Sequence, residues 1–350
     1  MLNVEYWNNE KNQEKIDFYK NIYKIKNMKI GILGAGNWGT TLAIMLSDKA
    51  DVSLWTIEKI ENRENTKYLP GYKIPDKVNI TYDFNDAIDS CSIIIFAVPS
   101  QVMRDVAKLL YKKTNAVLLC VSKGLEKTTL KRMSEVLLEE TGVPEDNICV
   151  LAGPSIAREV IRGIPTSCVC ACKNEENAKL VQSILNAKTF RVYTSSDVIG
   201  AELGGALKNI IAIASGICDG LGLGANTKGA LLTRGIREII RLGVVMGANT
   251  DTFSGLSGIG DLITTSFSTD SRNHRVGELI GKGYSMEHIR EKMVEVAEGI
   301  DTTSAAVELS EKYNVSMPIT QEVYEVLFNK KPPLIAIEAL MARELKAENS

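Results

Sequence analysis

From Lys29 to about Tyr193 the chain alternates short apolar, β-branched runs with stretches whose apolar residues recur at helical spacing. The runs are KIGIL, DVSLW, SIIIFAV, AVLLCV, NICVL, TSCVCAC and TFRVY. Strands that are apolar along their whole length, separated by helices, predict a mainly parallel sheet buried on both faces. From about Ser196 the pattern changes to long helical stretches rich in Ala, Gly, Ile, Leu and Glu, with almost no strand signal. The chain therefore reads as an α/β protein with a peripheral polar extension over 1–27, a parallel-sheet domain over 28–195 and an all-helical C-terminal domain over 196–346. Pro332-Pro333 suits the first turn of a last helix, in which Leu334, Ile335, Ile337, Leu340, Met341 and Leu345 recur at helical spacing.

Length and charge leave this picture intact and exclude several functions. The 350 residues suit about two domains. A net charge of −2 gives no support to a nucleic-acid or polybasic membrane binder. The most apolar stretch, Val198 to Ala225, is interrupted by Glu202, Lys208, Asn209 and Asp219, so it reads as a buried helix carrying polar groups and not as an integral membrane segment. The first 27 residues lack the apolar core and cleavage site of a secretory signal. Seven cysteines without a CxxC pair read as reduced thiols of a cytoplasmic protein. Cys168, Cys170 and Cys172 in SCVCAC read as a buried strand, since structural zinc sites pair their ligands at CxxC-type spacing. No metal site is expected, because His274 and His288 are the only histidines. Proton transfer then falls to Lys, Asp or Glu.

The first strand runs into GAGNWG, which sets Gly34, Gly36 and Gly39 in GxGxxG spacing ahead of a helical segment. The first glycine permits the turn, the second lets a pyrophosphate approach the backbone, and the third lets helix and strand pack closely. Following a strand and opening a helix, the motif predicts a Rossmann-like fold that binds a dinucleotide at a helix N-terminus. Glu58 stands where an acidic residue takes the ribose hydroxyls of NAD, and this favours NAD. Lys59 and Arg63 are near enough in sequence to tolerate the 2′-phosphate of NADP. Beyond later strands come AVPS, SKGLE and AGPSIARE, which place Ser100, Gln101, Lys123, Gly153 and Ser155 at one edge of the sheet. Ligands of open α/β sheets bind at that edge. Ser100 and Gln101 either touch the cofactor or cap the next helix.

In the helical half, Glu202 and Lys208 sit among small and apolar residues. Burial lowers a lysine pKa toward the working range of a general acid or base. Asp261, ahead of Thr264 and Thr265, is either part of that chemistry or a helix cap. Ser271, Arg272 and Asn273 read either as a phosphate-binding turn or as a helix start with a surface charge.

The strings GAGNWGTTLA, NTKYLPGYKIP, AVPSQ, SKGLE, AGPSIARE, ELGGALKN, GDLITT, SRN, VAEGIDT and MPITQEVYEVLF, in this order over about 28–346, resemble those of the NAD(P)-dependent glycerol-3-phosphate dehydrogenases, especially the bacterial type. The resemblance implies reversible hydride transfer between sn-glycerol 3-phosphate and dihydroxyacetone phosphate, run toward glycerol 3-phosphate for phospholipid synthesis, by a homodimer. It implies Lys208 as proton donor, Lys123 polarising the carbonyl oxygen and depressing the Lys208 pKa, and Asp261 holding the ammonium. Gly153, Ser155, Thr265, Ser271 and Asn273 would hold the substrate and its phosphate, with Arg272 reaching the cofactor or the phosphate. Asn37, Trp38, Ala157, Val296 and Glu298, with Lys123, would face the dinucleotide. Three departures stand out. Thr56, Ile57 and Glu58 replace a basic residue that suits NADPH. His274 stands where Arg is frequent, which weakens phosphate binding or makes it depend on pH. Ser266 replaces a frequent Cys without expected consequence. A related two-domain dehydrogenase acting on a β-hydroxy acid would share the glycine loop and a lysine, but not SKGLE, GDLITT and SRN together; a cofactor sensor without turnover would not need Lys123, Lys208 and Asp261.

Overall fold

The structure, a computed structural model, describes residues 28–111, 114–293, 297–345, 347 and 348. The extension over 1–27 and Val296 lie outside the described residues.

Eight strands form one sheet: β1 (Lys29–Leu33), β2 (Asp51–Trp55), β3 (Asn79–Thr81), β4 (Ile93–Phe96), β5 (Val117–Cys120), β6 (Ile148–Ala152), β7 (Thr166–Ala171) and β8 (Phe190–Ser195). Their order is β3-β2-β1-β4-β5-β6-β7-β8. β3 through β6 run parallel, β7 turns antiparallel against β6, and β8 is parallel to β7. The two central strands are buried along their whole length because alternate residues feed different cores. Ile93, Ile95, Val117 and Leu119 pack on one face, and Ile94, Phe96, Leu118 and Cys120 on the other. Among the described residues six helices accompany the sheet: α1 (Asn37–Leu46), α2 (Phe84–Ile88), α3 (Met103–Leu109), α4 (Met133–Thr141), α5 (Ala157–Ile161) and α6 (Glu175–Leu185). Strand order reverses at β1, whose neighbours are β2 and β4. The carboxyl ends of β1 and β4 therefore open the crevice in which doubly wound sheets bind their ligands.

Among the described residues eight helices follow: α7 (Val198–Gly220), α8 (Ala225–Val245), α9 (Asp261–Phe267), α10 (Arg272–Gly281), α11 (Met286–Lys292), α12 (Gly299–Lys312), α13 (Pro318–Phe328) and α14 (Pro333–Met341). α7 is the axis of this half, and by length and composition it is apolar enough to cross a membrane. However, 94% of its apolar window is buried inside the fold. α10 lies against it almost backbone to backbone. A Cβ added at Gly216 would come 1.9 Å from the His274 carbonyl oxygen, and one at Gly277 would come 1.9 Å from that of Ile213.

Two buried carboxylates cap helices other than their own. Glu202 of α7 accepts from the Ser134 N–H (2.8 Å), the Ser134 hydroxyl (2.6 Å) and Arg132 Nη1 (2.5 Å), and so ties α7 to the start of α4. Glu238 of α8 accepts from the N–H groups of Ile319 (2.7 Å) and Thr320 (3.1 Å) at the start of α13. These are orphan donors of a helix whose own N-cap, Met317, supplies no side-chain acceptor. β7 carries Cys168 and Cys170, both buried, with Cys172 just beyond it. Among the described residues no group of three or more His, Cys, Asp or Glu side chains is arranged to hold a metal ion.

Candidate active site

The chemistry converges on one buried carboxylate. Asp261 opens α9 directly after a π turn, Leu256–Gly260, and its two oxygens face different halves of the fold. Oδ1 accepts from the Lys208 ammonium at 2.5 Å, and Oδ2 from that of Lys123 at 2.8 Å. Lys208 comes from the middle of α7, and Lys123 from the loop beyond β5. Lys208 also donates to the Thr265 hydroxyl, one turn along α9 from Asp261. Lys123 also donates to the Gly153 carbonyl oxygen (2.7 Å) and to Ser155 Oγ (3.1 Å), both in the loop beyond β6. One chain of hydrogen bonds thus joins Lys123, Gly153, Ser155, Asp261, Lys208 and Thr265.

The electrostatics follow from burial and charge. Burial pulls the Lys208 pKa down from 10.5 to about 8; Asp261 opposes this, and the neighbouring Lys123 and Arg272 add to it. For Asp261 burial alone would raise the pKa, yet the two ammonium groups outweigh it and hold the carboxyl below its usual range. Two ammonium groups around one carboxylate leave a net positive centre, which suits an anionic substrate.

Two uncharged amides, those of Gln101 and Asn209, brace this centre. Gln101 Nε2 donates to the Leu125 carbonyl oxygen (2.8 Å) and its Oε1 accepts from the Lys127 N–H (3.1 Å), so its amide grips the loop that carries Lys123. Asn209, next to Lys208 on α7, donates to the Lys123 carbonyl oxygen at 3.3 Å. The sequence marks Asn209 only as a polar interruption of an apolar run, and its place beside a buried lysine is the signal that points to the site. Ser100 gives its N–H to Glu298 Oε1 (3.0 Å) and its hydroxyl to Glu298 Oε2. Burial raises the Glu298 pKa despite these bonds.

The residues of the SRN turn divide. Arg272 is exposed in the first turn of α10, and its charge acts on both Lys208 and Glu298. Ser271 is the N-cap of α10, accepting from the His274 N–H at 3.2 Å, and Asn273 Oδ1 accepts from the Gly299 N–H at 2.9 Å. The His274 ring turns away from the lysines. Its Nε2 lies 2.7 Å from Asp219 Oδ2, an oxygen that also accepts from Lys228 at 2.8 Å. The His274 ring is thus engaged by a carboxylate at the far end of α7. Ser266 is fully buried, and its hydroxyl has no hydrogen-bond partner among the described residues.

A second cluster sits at the carboxyl end of β1. Gly34 has φ +108°, and a Cβ at Gly39 would come 1.9 Å from the Gly34 carbonyl oxygen, so α1 packs onto the loop only through glycine. A Cβ at Gly36 would meet nothing within 4 Å, which leaves open space in front of the loop. Asn37 Oδ1 is buried there without a partner among the described residues. An open approach to backbone N–H groups at a helix start, beside an unsatisfied buried acceptor, fits a dinucleotide pyrophosphate and ribose. Trp38 packs beside Phe190 with ring centroids 6.2 Å apart, and Ala157 is buried at the start of α5, which packs against α1. Glu58 is partly exposed in the turn beyond β2. Arg63 is not available to a 2′-phosphate, because its guanidinium donates to the carbonyl oxygens of Ile74, Pro75 and Val78. Lys59 pairs with Glu61 at 2.9 Å.

The sequence also matches known proteins along nearly its whole described length. Residues 29–178 match the family model of the NAD-dependent glycerol-3-phosphate dehydrogenase N-terminus, and residues 197–338 match that of the C-terminus. A glycerol-3-phosphate dehydrogenase [NAD(P)+] of Pelotomaculum thermopropionicum is 49% identical over 325 residues, covering 90% of this chain and 93% of the relative. One of Prosthecochloris aestuarii is 48% identical over 331 residues, covering 92% of this chain and 100% of the relative. The crystal structure of glycerol-3-phosphate dehydrogenase from Coxiella burnetii superposes with a TM-score of 0.86 at 35% identity, covering 91% of this chain and 99% of that one. D-mandelate dehydrogenase with NADH reaches a TM-score of 0.54 at 14% identity, a likeness of fold alone. With both halves of one family model matched in order, and relatives nearly half identical along nine-tenths of its length, the chain belongs to the NAD-dependent glycerol-3-phosphate dehydrogenase family.

Proposed function

We propose that the chain interconverts dihydroxyacetone phosphate and sn-glycerol 3-phosphate, with Lys208 as the general acid and base. The observation that carries this reading is the Lys123–Asp261–Lys208 arrangement, a buried lysine with a pKa near 8 inside a net positive centre. When bound, the nicotinamide coenzyme, NAD(H) or NADP(H), supplies or accepts the hydride. Two of the three N–H donors of the Lys208 ammonium are engaged, by Asp261 and Thr265, which leaves one for the substrate carbonyl oxygen. In reduction that proton passes from Nζ to the oxygen as it gains negative charge, and in oxidation the neutral amine takes it back.

Lys123 has a different part. All three of its donors are engaged, by Gly153, Ser155 and Asp261, so it acts on the oxygen through its charge and holds the Lys208 pKa down. Asp261 keeps the Lys208 ammonium aimed. Arg272, with Thr265, Ser155, Ser271 and Asn273, lines the side that receives the phosphate. Gly34, Gly36, Asn37, Trp38, Gly39, Glu58, Ala157 and Glu298 form the dinucleotide side. In this reading 28–195 is the dinucleotide domain and 196–346 the substrate domain of a cytoplasmic homodimer, and the product serves glycerophospholipid synthesis.

The test is the initial rate of NADH and NADPH oxidation with dihydroxyacetone phosphate. Oxidation that requires the ketone phosphate supports the reading. Coenzyme binding without consumption, or equal rates with a non-phosphorylated ketone, overturns the substrate.

A further inference from the structure

The turn beyond β2 holds a charged arrangement that the glycine loop does not by itself account for. β2 ends level with β1, with Leu33 opposite Trp55, and the Gly34 N–H donates to the Trp55 carbonyl oxygen at 3.1 Å. The next residues therefore lie beside the glycine loop. Thr56 is buried and clamps them: its Oγ1 accepts from the Glu58 N–H at 3.1 Å and donates to the Glu58 carbonyl oxygen at 3.0 Å. From this fixed backbone the Glu58 carboxylate extends to a single pair of donors. Oε1 accepts from Lys67 Nζ at 2.7 Å and from the Tyr68 hydroxyl at 2.9 Å. Both bonds fall on Oε1, and Oε2 is left for another donor.

The segment that delivers Lys67 and Tyr68 is fastened to the same loop. Asn65, buried, donates from Nδ2 to the Ala35 carbonyl oxygen (2.6 Å) and to Thr40 Oγ1 (2.9 Å), while its Oδ1 accepts from the Tyr68 N–H (3.2 Å). The other cations of this region are occupied elsewhere: Lys59 by Glu61, Arg63 by three carbonyl oxygens, and Lys73 by Glu64 at 3.1 Å. Lys67 is thus the cation that shares the ribose-side carboxylate.

We propose that Glu58 and Lys67 form a pair that discriminates between coenzymes, Glu58 Oε2 accepting from a ribose hydroxyl of NAD(H) and Lys67 meeting the 2′-phosphate of NADP(H). The inference rests on the dinucleotide-binding reading given above. A 2′-phosphate brought against Glu58 meets a like charge, whereas Lys67 offsets that repulsion from the same place. The two residues push the NAD-to-NADP ratio in opposite directions, and their near cancellation lets one site take both coenzymes with NAD(H) ahead. Tyr68 is a positioning residue that holds Glu58 beside Lys67.

The experiment is a fluorescence titration of NADH and of NADPH, without substrate, into the wild-type protein, Glu58→Gln and Lys67→Met. Glu58→Gln is expected to tighten NADPH relative to NADH by about tenfold, and Lys67→Met to weaken it by about the same factor. Parallel changes in both dissociation constants, or a ratio that neither variant moves, overturn the pair while leaving dinucleotide binding in place. Failure of the folded wild-type protein to bind either coenzyme overturns the dinucleotide reading, and the pair with it.

Discussion

Lys208 and Asp261, 53 residues apart in sequence, meet at 2.5 Å inside the fold, and the second oxygen of the same carboxylate is held by Lys123 from the sheet half. A carboxylate shared in this way couples the two halves of the fold at one point. It raises the affinity of Lys208 for its proton, while the lysine on its other side lowers it. Burial decides the balance, and the ammonium titrates near pH 8.

The rate of ketone reduction should therefore depend on pH with a defined sign. In the proposed reaction reduction uses the protonated form of Lys208, so kcat should be level below the pKa of about 8 and fall by about tenfold per unit above it. Alcohol oxidation needs the free amine and should rise through the same region. Steady-state profiles in both directions check this; the same slope in both would remove Lys208 from proton transfer.

Replacing Lys208 or Asp261 should separate their roles. Lys208→Ala should lower kcat by about a hundredfold or more while the NADH dissociation constant stays near the wild-type value. Asp261→Asn should move the falling limb of the reduction profile to lower pH, because the carboxylate is what raises the Lys208 pKa. A limb that moves upward or stays in place would contradict the assigned electrostatics.

Arg272→Ala should act chiefly on the Michaelis constant for dihydroxyacetone phosphate, raising it by about tenfold or more, since the proposed charge-assisted phosphate contact would be lost. An effect confined to coenzyme binding would reassign Arg272 to the dinucleotide, beside Glu298.

Ser266→Ala should stabilise the protein by about 1 kcal/mol, because the buried hydroxyl has no partner among the described residues and its removal ends a desolvation penalty. Glu238→Ala should destabilise it by about 2 kcal/mol through uncapping α13. Denaturant unfolding checks both, with the same activity per folded molecule expected in each variant.

How far the sequence carried depends on how local each signal is. The strands of the sheet were readable from continuous apolar runs, and the glycine loop from spacing, since both are fixed by neighbours along the chain. β3 was not read, because Asn79–Thr81 is three residues long with one fully buried position. The reversal of β7 could not be read either, since antiparallel pairing with β6 changes nothing in its apolar pattern. In the site, Lys123, Lys208 and Asp261 were legible as polar residues in apolar or edge contexts. The partners of other buried polar residues were not. Glu202 looked like a companion of Lys208 on the same helix, yet it turns to Arg132 and Ser134. Glu298 reaches Ser100 across 198 residues, and His274 reaches Asp219 across 55, distances over which spacing carries no information. The π turn ahead of Asp261, LSGIG, has two glycines and a serine among apolar residues, a pattern that does not distinguish it from an ordinary turn.

The bare crossing of α7 and α10 acts as a gauge. Lys208 rides on one of these helices and Arg272 begins the other, and where they cross at Gly216 and Gly277 backbone rests against backbone. No side chain lies at those two points to change rotamer, swell or shrink. The separation of the two helix backbones at this crossing is set by atomic radii, so the middle of α7 and the start of α10 move as one body.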